Sequence, residues 1–142
     1  PNSMQLDASG NLWVLASGKP AYTGDETAGV LTKINTGTNE VDDSFQFETT
    51  QHPSSLNLDA GILYYRLRDT VFEQSLSATS LNMETVLEGV SFYTMVVNNS
   101  RLYGTDAGDY ASNGTLTVYD LNTELTIKAL TVGIIPGGIY FN

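Results

Sequence analysis

Pro1-Asn2-Ser3-Met4-Gln5-Leu6-Asp7 opens the chain, and a version of it returns three more times. It recurs as Pro53-Ser54-Ser55-Leu56-Asn57-Leu58-Asp59 and, in degenerate form, as Phe92-Tyr93-Thr94-Met95-Val96-Val97-Asn98. The last copy is Pro136-Gly137-Gly138-Ile139-Tyr140-Phe141-Asn142. Each is two or three turn-forming residues, then an alternating apolar run, then Asp or Asn. That is a turn feeding a short strand that stops at a second turn. Starts at 1, 53, 92 and 136 give intervals of 52, 39 and 44 residues. A period of ~40–45 residues carrying four strands is the signature of a β-propeller blade.

Working outward, the segments between the copies supply the remaining strands. In the first repeat (1–52), Leu12 to Ala16, Val30 to Ile34 and Val41 to Phe47 read as strands. Asp42 and Asp43 fall at its edge, where charge discourages strand-to-strand aggregation. The second repeat (53–91) reads as Ser55–Leu58, Ile62–Arg66, Val71–Leu76 and Glu84–Leu87. The third (92–135) reads as Met95–Val97, Arg101–Thr105, Gly114–Tyr119 and Leu125–Thr131. Segment 136–142 is the first strand of a fourth blade. No segment sustains apolar spacing at i, i+3, i+4, i+7, so no long helix is expected. The fold class is all-β: one partial β-propeller domain over 1–142, three four-stranded antiparallel blades plus one extra terminal strand.

Composition narrows function chiefly by exclusion. Of 142 residues, 41% are hydrophobic, enough for a core. Sixteen Asp and Glu against six Lys and Arg give a net charge of −10. Phosphate neutralisation needs the opposite balance, so nucleic acid is excluded as a partner, and an anionic membrane surface is disfavoured. No apolar run approaches the ~20 residues that would span a bilayer. There are no cysteines, which leaves the compartment open. The chain starts at a blade boundary without an initiator Met, and is expected to be a processed or truncated product of a longer one.

The block Leu12-Trp13-Val14, followed by Leu31-Thr32-Lys33-Ile34-Asn35-Thr36-Gly37-Thr38-Asn39-Glu40-Val41, resembles YVTN-type, YncE-like β-propellers of bacterial surface and envelope proteins. Leu116-Thr117-Val118-Tyr119-Asp120-Leu121-Asn122-Thr123 repeats the likeness, and the ending 136–142 is similar to the C-terminus of lipoprotein-type members. The second repeat departs most, with Tyr64-Tyr65-Arg66-Leu67-Arg68 where the family has a small-residue strand end. The resemblance implies a periplasmic or cell-surface location and a binding role more than a reaction.

Loops joining second and third strands share a blade face with the inter-blade links, around one mouth of the channel, where propellers commonly hold ligands. The first repeat should place Lys19, Tyr22, Asp25 and Glu26 there, and its link Gln51 and His52. The second repeat adds Arg66 and Arg68, with Asp69. The third adds Asp106, Asp109 and Tyr110. Such a mixture of aromatic, amide and charged groups suits a polar ligand, a glycan or a peptide; simple hydration of surface loops explains the same polarity.

His52 is the only histidine, and no Gly-x-Ser-x-Gly elbow accompanies it. It is expected to hydrogen-bond across the inter-blade link. No cofactor is expected, although Asp25-Glu26 and Asp106-Ala107-Gly108-Asp109 offer hard oxygens that would admit Ca²⁺. Trp13, among Leu12, Val14 and Leu15, reads as core. Tyr64 and Tyr65, being adjacent on a strand, point to opposite faces. Asn98-Asn99-Ser100 and Asn113-Gly114-Thr115 read as turns.

These observations favour a non-enzymatic binding or scaffold module with a protein or polysaccharide partner. The competing reading is a propeller lyase or gluconolactonase-type hydrolase with a divalent metal at the channel mouth. Three blades fall below the four to eight of closed propellers. The faces left open are therefore expected to be covered by the remaining blades of a parent chain or by a second copy.

Overall fold

The structure is a computed structural model that describes residues 1–141. Twelve strands form three four-stranded antiparallel sheets, each a meander of consecutive strands. The first blade holds β1 (Ser3–Leu6), β2 (Asn11–Ala16), β3 (Val30–Asn35) and β4 (Glu40–Gln46). The second holds β5 (Ser54–Asp59), β6 (Ile62–Leu67), β7 (Thr70–Ser75) and β8 (Glu84–Leu87). The third holds β9 (Thr94–Asn98), β10 (Arg101–Asp106), β11 (Thr115–Asp120) and β12 (Leu125–Thr131). The only helical element among the described residues is the short 3-10 turn Ala21–Thr23. No helix among the described residues is long and apolar enough to cross a membrane.

The period-2 alternation of each strand sends one set of side chains to each blade face, so the cores lie between blades. Trp13, Leu15, Leu31 and Phe45 of the first blade meet Leu56, Leu63 and Tyr65 of the second. Tyr64 and Val71 of the second meet Met95, Val97 and Leu102 of the third. The adjacent tyrosines thus divide as the pleat requires, one into each core. Trp13 is 1% exposed and stacks on Phe45, with centroids 6.3 Å apart. Burying such faces is the main favourable term, at roughly 25 cal/mol per Å² of apolar area.

The strands that open each blade, β1, β5 and β9, lie side by side along the axis and are stitched by side chains. A bulge lies in β5 between Ser54 and Asn57, with Ser55 at φ +61°. The Leu56 N–H there bonds Ser3 Oγ at 2.8 Å, and its C=O accepts Gln5 Nε2 at 2.9 Å. One blade on, Asn57 does both tasks alone. Its Nδ2 donates to the Met95 carbonyl at 3.2 Å, and its Oδ1 accepts the Val97 N–H at 3.1 Å. Asp59 then accepts the N–H groups of Asn99 and Ser100 at 3.2 and 2.8 Å.

Pro136–Phe141 forms no ladder, yet it lies where the repeat predicts the first strand of a next blade to start. A Cβ on Gly29 would overlap the ring of Pro53, and one on Gly114 the ring of Pro136. Only glycine permits these close approaches, so both links cross the preceding blade in the same way. Asn142, the end of that expected strand, lies outside the described residues. The far face of the first blade carries no neighbour among the described residues: Met4, Leu6 and Val41 are 58%, 63% and 61% exposed. On the third blade, Tyr103 shares its face with Val96 and Val118 and receives only Phe141, edge-on at 4.9 Å.

Candidate functional site

The loops after β2, β6 and β10 and the links between blades share one face. The residues expected to form a single mouth divide there into two groups, one at each blade junction.

At the first junction, the loop between β2 and β3 is closed by a bridge between Lys19 and Thr27. Lys19 Nζ pairs with Asp25 at 2.6 Å, both largely exposed, so the pair adds little stability. The 3-10 turn lifts Tyr22 to 89% exposure, away from any site. Gln51 is structural: its C=O accepts the Gly29 N–H at 3.1 Å, and its Oε1 accepts the Glu48 N–H at 3.0 Å.

His52 reaches back across the link, as expected. Its Nδ1 faces the Ser17 carbonyl at 2.8 Å and its Nε2 faces Glu26 Oε1 at 3.0 Å. Two acceptors flank the ring, so only the imidazolium, with two N–H donors, satisfies both. The hydrogen bond to Glu26, then that to the Ser17 carbonyl, raises the pKa above 6.5; desolvation and Arg68 oppose them. Arg68 sits in the β6–β7 turn at φ +57°. With Gln51, Asp69 and Thr70 it lines a shallow depression of about 270 Å³.

At the second junction, Arg66, Tyr93, Asp106 and Tyr110 line a cleft of about 340 Å³. Arg66 Nη1 donates to the Phe92 carbonyl. Its Nε is closed off from water and has no acceptor, and burial lowers the guanidinium's pKa. No carboxylate among the described residues lies within 4.0 Å of it. Tyr93 and Tyr110 meet edge to face at 5.8 Å. Asp106 Oδ1 accepts the Gly108 N–H at 2.8 Å.

The expected convergence of acids does not form. Asp25 is paired with Lys19 and Glu26 with His52. Asp109 caps its own turn: its carboxylate accepts the Ser112 and Ala111 N–H groups at 2.7 and 2.9 Å, which lower its pKa. No three His, Asp or Glu side chains gather into a metal-binding group among the described residues. The physical reason is that each loop folds on itself, capping its own backbone.

Three contributors escape sequence reasoning. Tyr93 lies in a link that reads as the degenerate start of a repeat. Asn57 reads as a strand residue, although an amide alternating with leucines is a usable signal for an interior polar stitch. Asp7 reads as a turn former, yet it is buried. Burial pushes its carboxyl up. Bonds from the Asn11 side chain and N–H, the Trp13 indole at 3.0 Å and the Ser9 N–H outweigh this and bring the pKa to about 2.

Comparison with known proteins supports this architecture and nothing finer. No protein-family model and no curated protein sequence matches the chain. Among solved structures it is similar to the nidogen/laminin complex, with a TM-score of 0.64 and 11% identity over 90% of this chain and 46% of that one. It is similar to the β-propeller domain of the Trilobed protease from Pyrococcus furiosus, with a TM-score of 0.58 and 10% identity over 93% of this chain and 42% of that one. It also resembles glutaminyl cyclase from Myxococcus xanthus, with a TM-score of 0.53 and 17% identity over 73% and 43%. The chain spans less than half the length of each. The fold is that of a β-propeller.

Proposed function

We propose that the chain is a non-enzymatic binding or scaffold module of the bacterial cell envelope, part of a larger propeller. Its ligand site lies on the loop face, and its partner is a protein or a polysaccharide. The observation that carries this reading is that adjacent blades jointly build recesses of about 270 and 340 Å³ on that face. Beside them Asp106 and Asp109 cap their own turns, and the acids are not arranged about a reacting atom. Rigid strands presenting polar and aromatic loop residues suit recognition. The nidogen/laminin structure, which holds a protein partner by its description, fits this use of the fold.

The resemblance to YVTN-type propellers supports a periplasmic or cell-surface location. The enzymatic alternative requires acids converging on a divalent metal, and Asp25, Glu26, Asp106 and Asp109 do not converge. The test is retention of the immobilised chain on a panel of envelope glycans and peptides. Saturable binding that is unchanged by EDTA supports the module; lactone hydrolysis or lyase turnover restored by Ca²⁺ overturns it.

The same reading covers the open blade faces with further blades of a parent chain or a second copy. Light scattering at micromolar concentration should then find the 142-residue chain self-associated, and a monodisperse, cooperatively melting monomer would remove that expectation.

A further inference from the structure

We propose that the cleft between the second and third blades binds a hexuronate, its carboxylate held by Arg66, its hydroxyls by Asp106 and its ring against Tyr93 and Tyr110. This deepens the binding-module reading and rests on it.

The starting point is a structural task that recurs at every link. The first residue of each new repeat turns its carbonyl toward the preceding blade, near the end of that blade's second strand. Pro53 O accepts Ser17 Oγ at 2.8 Å, and Pro136 O accepts Thr105 Oγ1 at 2.8 Å. Phe92 O, the third such carbonyl, accepts Arg66 Nη1. Neutral groups suffice in the first and last cases, a hydroxyl in each, joined at Pro53 by Asn2 Nδ2 at 2.8 Å. At the second junction the same bond is made by a cation with four N–H donors to spare.

That excess has a cost which nothing in the fold repays. A half-buried charge without a counter-ion is unfavourable, and a buried N–H without an acceptor forfeits about 1–3 kcal/mol. Arg66 shows both features, an orphaned Nε and no carboxylate within 4.0 Å among the described residues. A ligand carboxylate in the cleft would supply the counter-charge through the free Nη2 of the guanidinium, and it reaches Nε, which is closed off from water as placed, once the side chain turns.

The rest of the cleft selects the kind of carboxylate. Asp106 accepts one backbone N–H through Oδ1, and no bond among the described residues engages Oδ2. It would repel a second anion but accept from a hydroxyl. Tyr93 and Tyr110, 45% and 59% exposed, offer ring faces and phenolic hydroxyls together, as suits the apolar face and rim of a sugar. A volume of about 340 Å³ lies at the small end of ligand sites, the scale of one sugar ring.

The experiment is a titration of the full chain with D-glucuronate, followed by ¹⁵N–¹H shifts of the arginine side chains and of the residues 106–110 amides. D-glucose and N-acetylaspartate amide serve as controls. Saturable shifts with glucuronate, weaker with both controls, are expected. Arg66→Gln keeps a donor for the Phe92 carbonyl while removing the charge, and should weaken glucuronate binding at least about tenfold with native amide dispersion retained. If that variant unfolds, Arg66→Lys, which keeps the charge but not the fork, should weaken binding measurably. Glucuronate shifts that survive the substitution, or equal binding of glucose, overturn the proposal while leaving the binding module standing. Equal or tighter binding of the acetylaspartate overturns it in favour of a peptide. No binding of any of the three overturns it, and the glycan and peptide panel then decides the broader reading separately.

Discussion

The two blade junctions solve the same packing problem with different chemistry. The first is aromatic: Tyr65 meets Phe47 edge-on at 5.5 Å and lies over Phe72 at 6.0 Å, with Trp13 on Phe45 beside them. The second mixes two aromatics, Tyr64 and Phe92, with smaller groups, Val71, Val86 and Val90 against Met95 and Val97. Polar stitching runs the other way. Ser3 and Gln5 divide between them, at the first junction, the two bonds that Asn57 makes alone at the second. At the first junction hydroxyls and a clamped histidine complete the link; at the second an arginine does. Buried donors without a partner occur at both junctions, Gln74 Nε2 on the face of Leu63 and Tyr65 and Arg66 Nε at the second, but only the second is a charged group beside a cleft.

The largest expected effect breaks the aromatic side of this contrast. Tyr65 is fully buried, so Tyr65→Ala should destabilise by about 3–5 kcal/mol, as large-to-small aromatic truncations do. Val71→Ala at the other junction should cost roughly 2 kcal/mol, having fewer atoms to lose. Urea denaturation of both variants checks the ranking, and equal losses would show that the junctions are not unequal in packing. The stitching contrast comes next. Asn57→Ala leaves the Met95 carbonyl and Val97 N–H unpaired together and should cost roughly 2–4 kcal/mol, whereas Ser3→Ala, which strands one N–H, should cost about 1 kcal/mol. Hydrogen exchange at Val97 and Leu56 reports each opening separately.

The aromatic junction was the more legible of the two in the sequence. Trp13, Leu31 and Phe45 alternate on strands bounded by turn residues, so both their strands and their burial follow from period 2. The bulge in β5 was not legible: Ser55 carries no glycine-like mark of its positive φ, and nothing in the spacing shows that the Leu56 backbone leaves the ladder for Ser3 and Gln5. The candidate site was half legible. Chain order puts the loops on one face, but it does not show that each loop would cap itself, as Asp109 does with Ser112. Nor does it show that Arg66 and Arg68, two residues apart, serve different junctions. Spacing fixes faces; distances between loops depend on how blades rotate against each other.

A smaller, pH-dependent effect sharpens the role of Asp7 in the first junction. Its carboxyl titrates near 2 in the folded chain against 3.8 as the ordinary value. A depressed folded pKa contributes stability that is present above the ordinary value and lost as pH falls through the folded one. Asp7 should thus add to acid sensitivity between about pH 3.8 and 2. Asp7→Asn removes that sensitivity, because an amide has no proton to gain, while weakening the cap on the Trp13 indole. Thermal melts of the two chains across that window should converge as the pH falls; parallel curves would show that Asp7 is not linked to folding.

The smallest effect concerns His52, whose sign is opposite. Its folded pKa is raised above 6.5, first by the hydrogen bond to Glu26 and then by the Ser17 carbonyl. A raised folded pKa contributes stability that is fully present below pH 6.5 and lost as pH rises through the folded value. Above that value the neutral ring can donate to only one of its two acceptors, so the Glu26 side of the clamp loosens first, since the carbonyl of Ser17 is fixed by backbone. The imidazole titration followed by NMR should therefore lie above 6.5 in the intact chain and move back down in Glu26→Gln. In Arg68→Gln it should rise further, because Arg68 opposes protonation. That last variant ties the measurement to geometry. Arg68 belongs to the second blade and His52 to the link from the first, so a response confirms that the two loops meet. A midpoint at or below 6.5 in the intact chain, or no response to Arg68→Gln, would separate the loops and leave the first junction held by its aromatic core and the Ser3, Gln5 and Ser17 bonds.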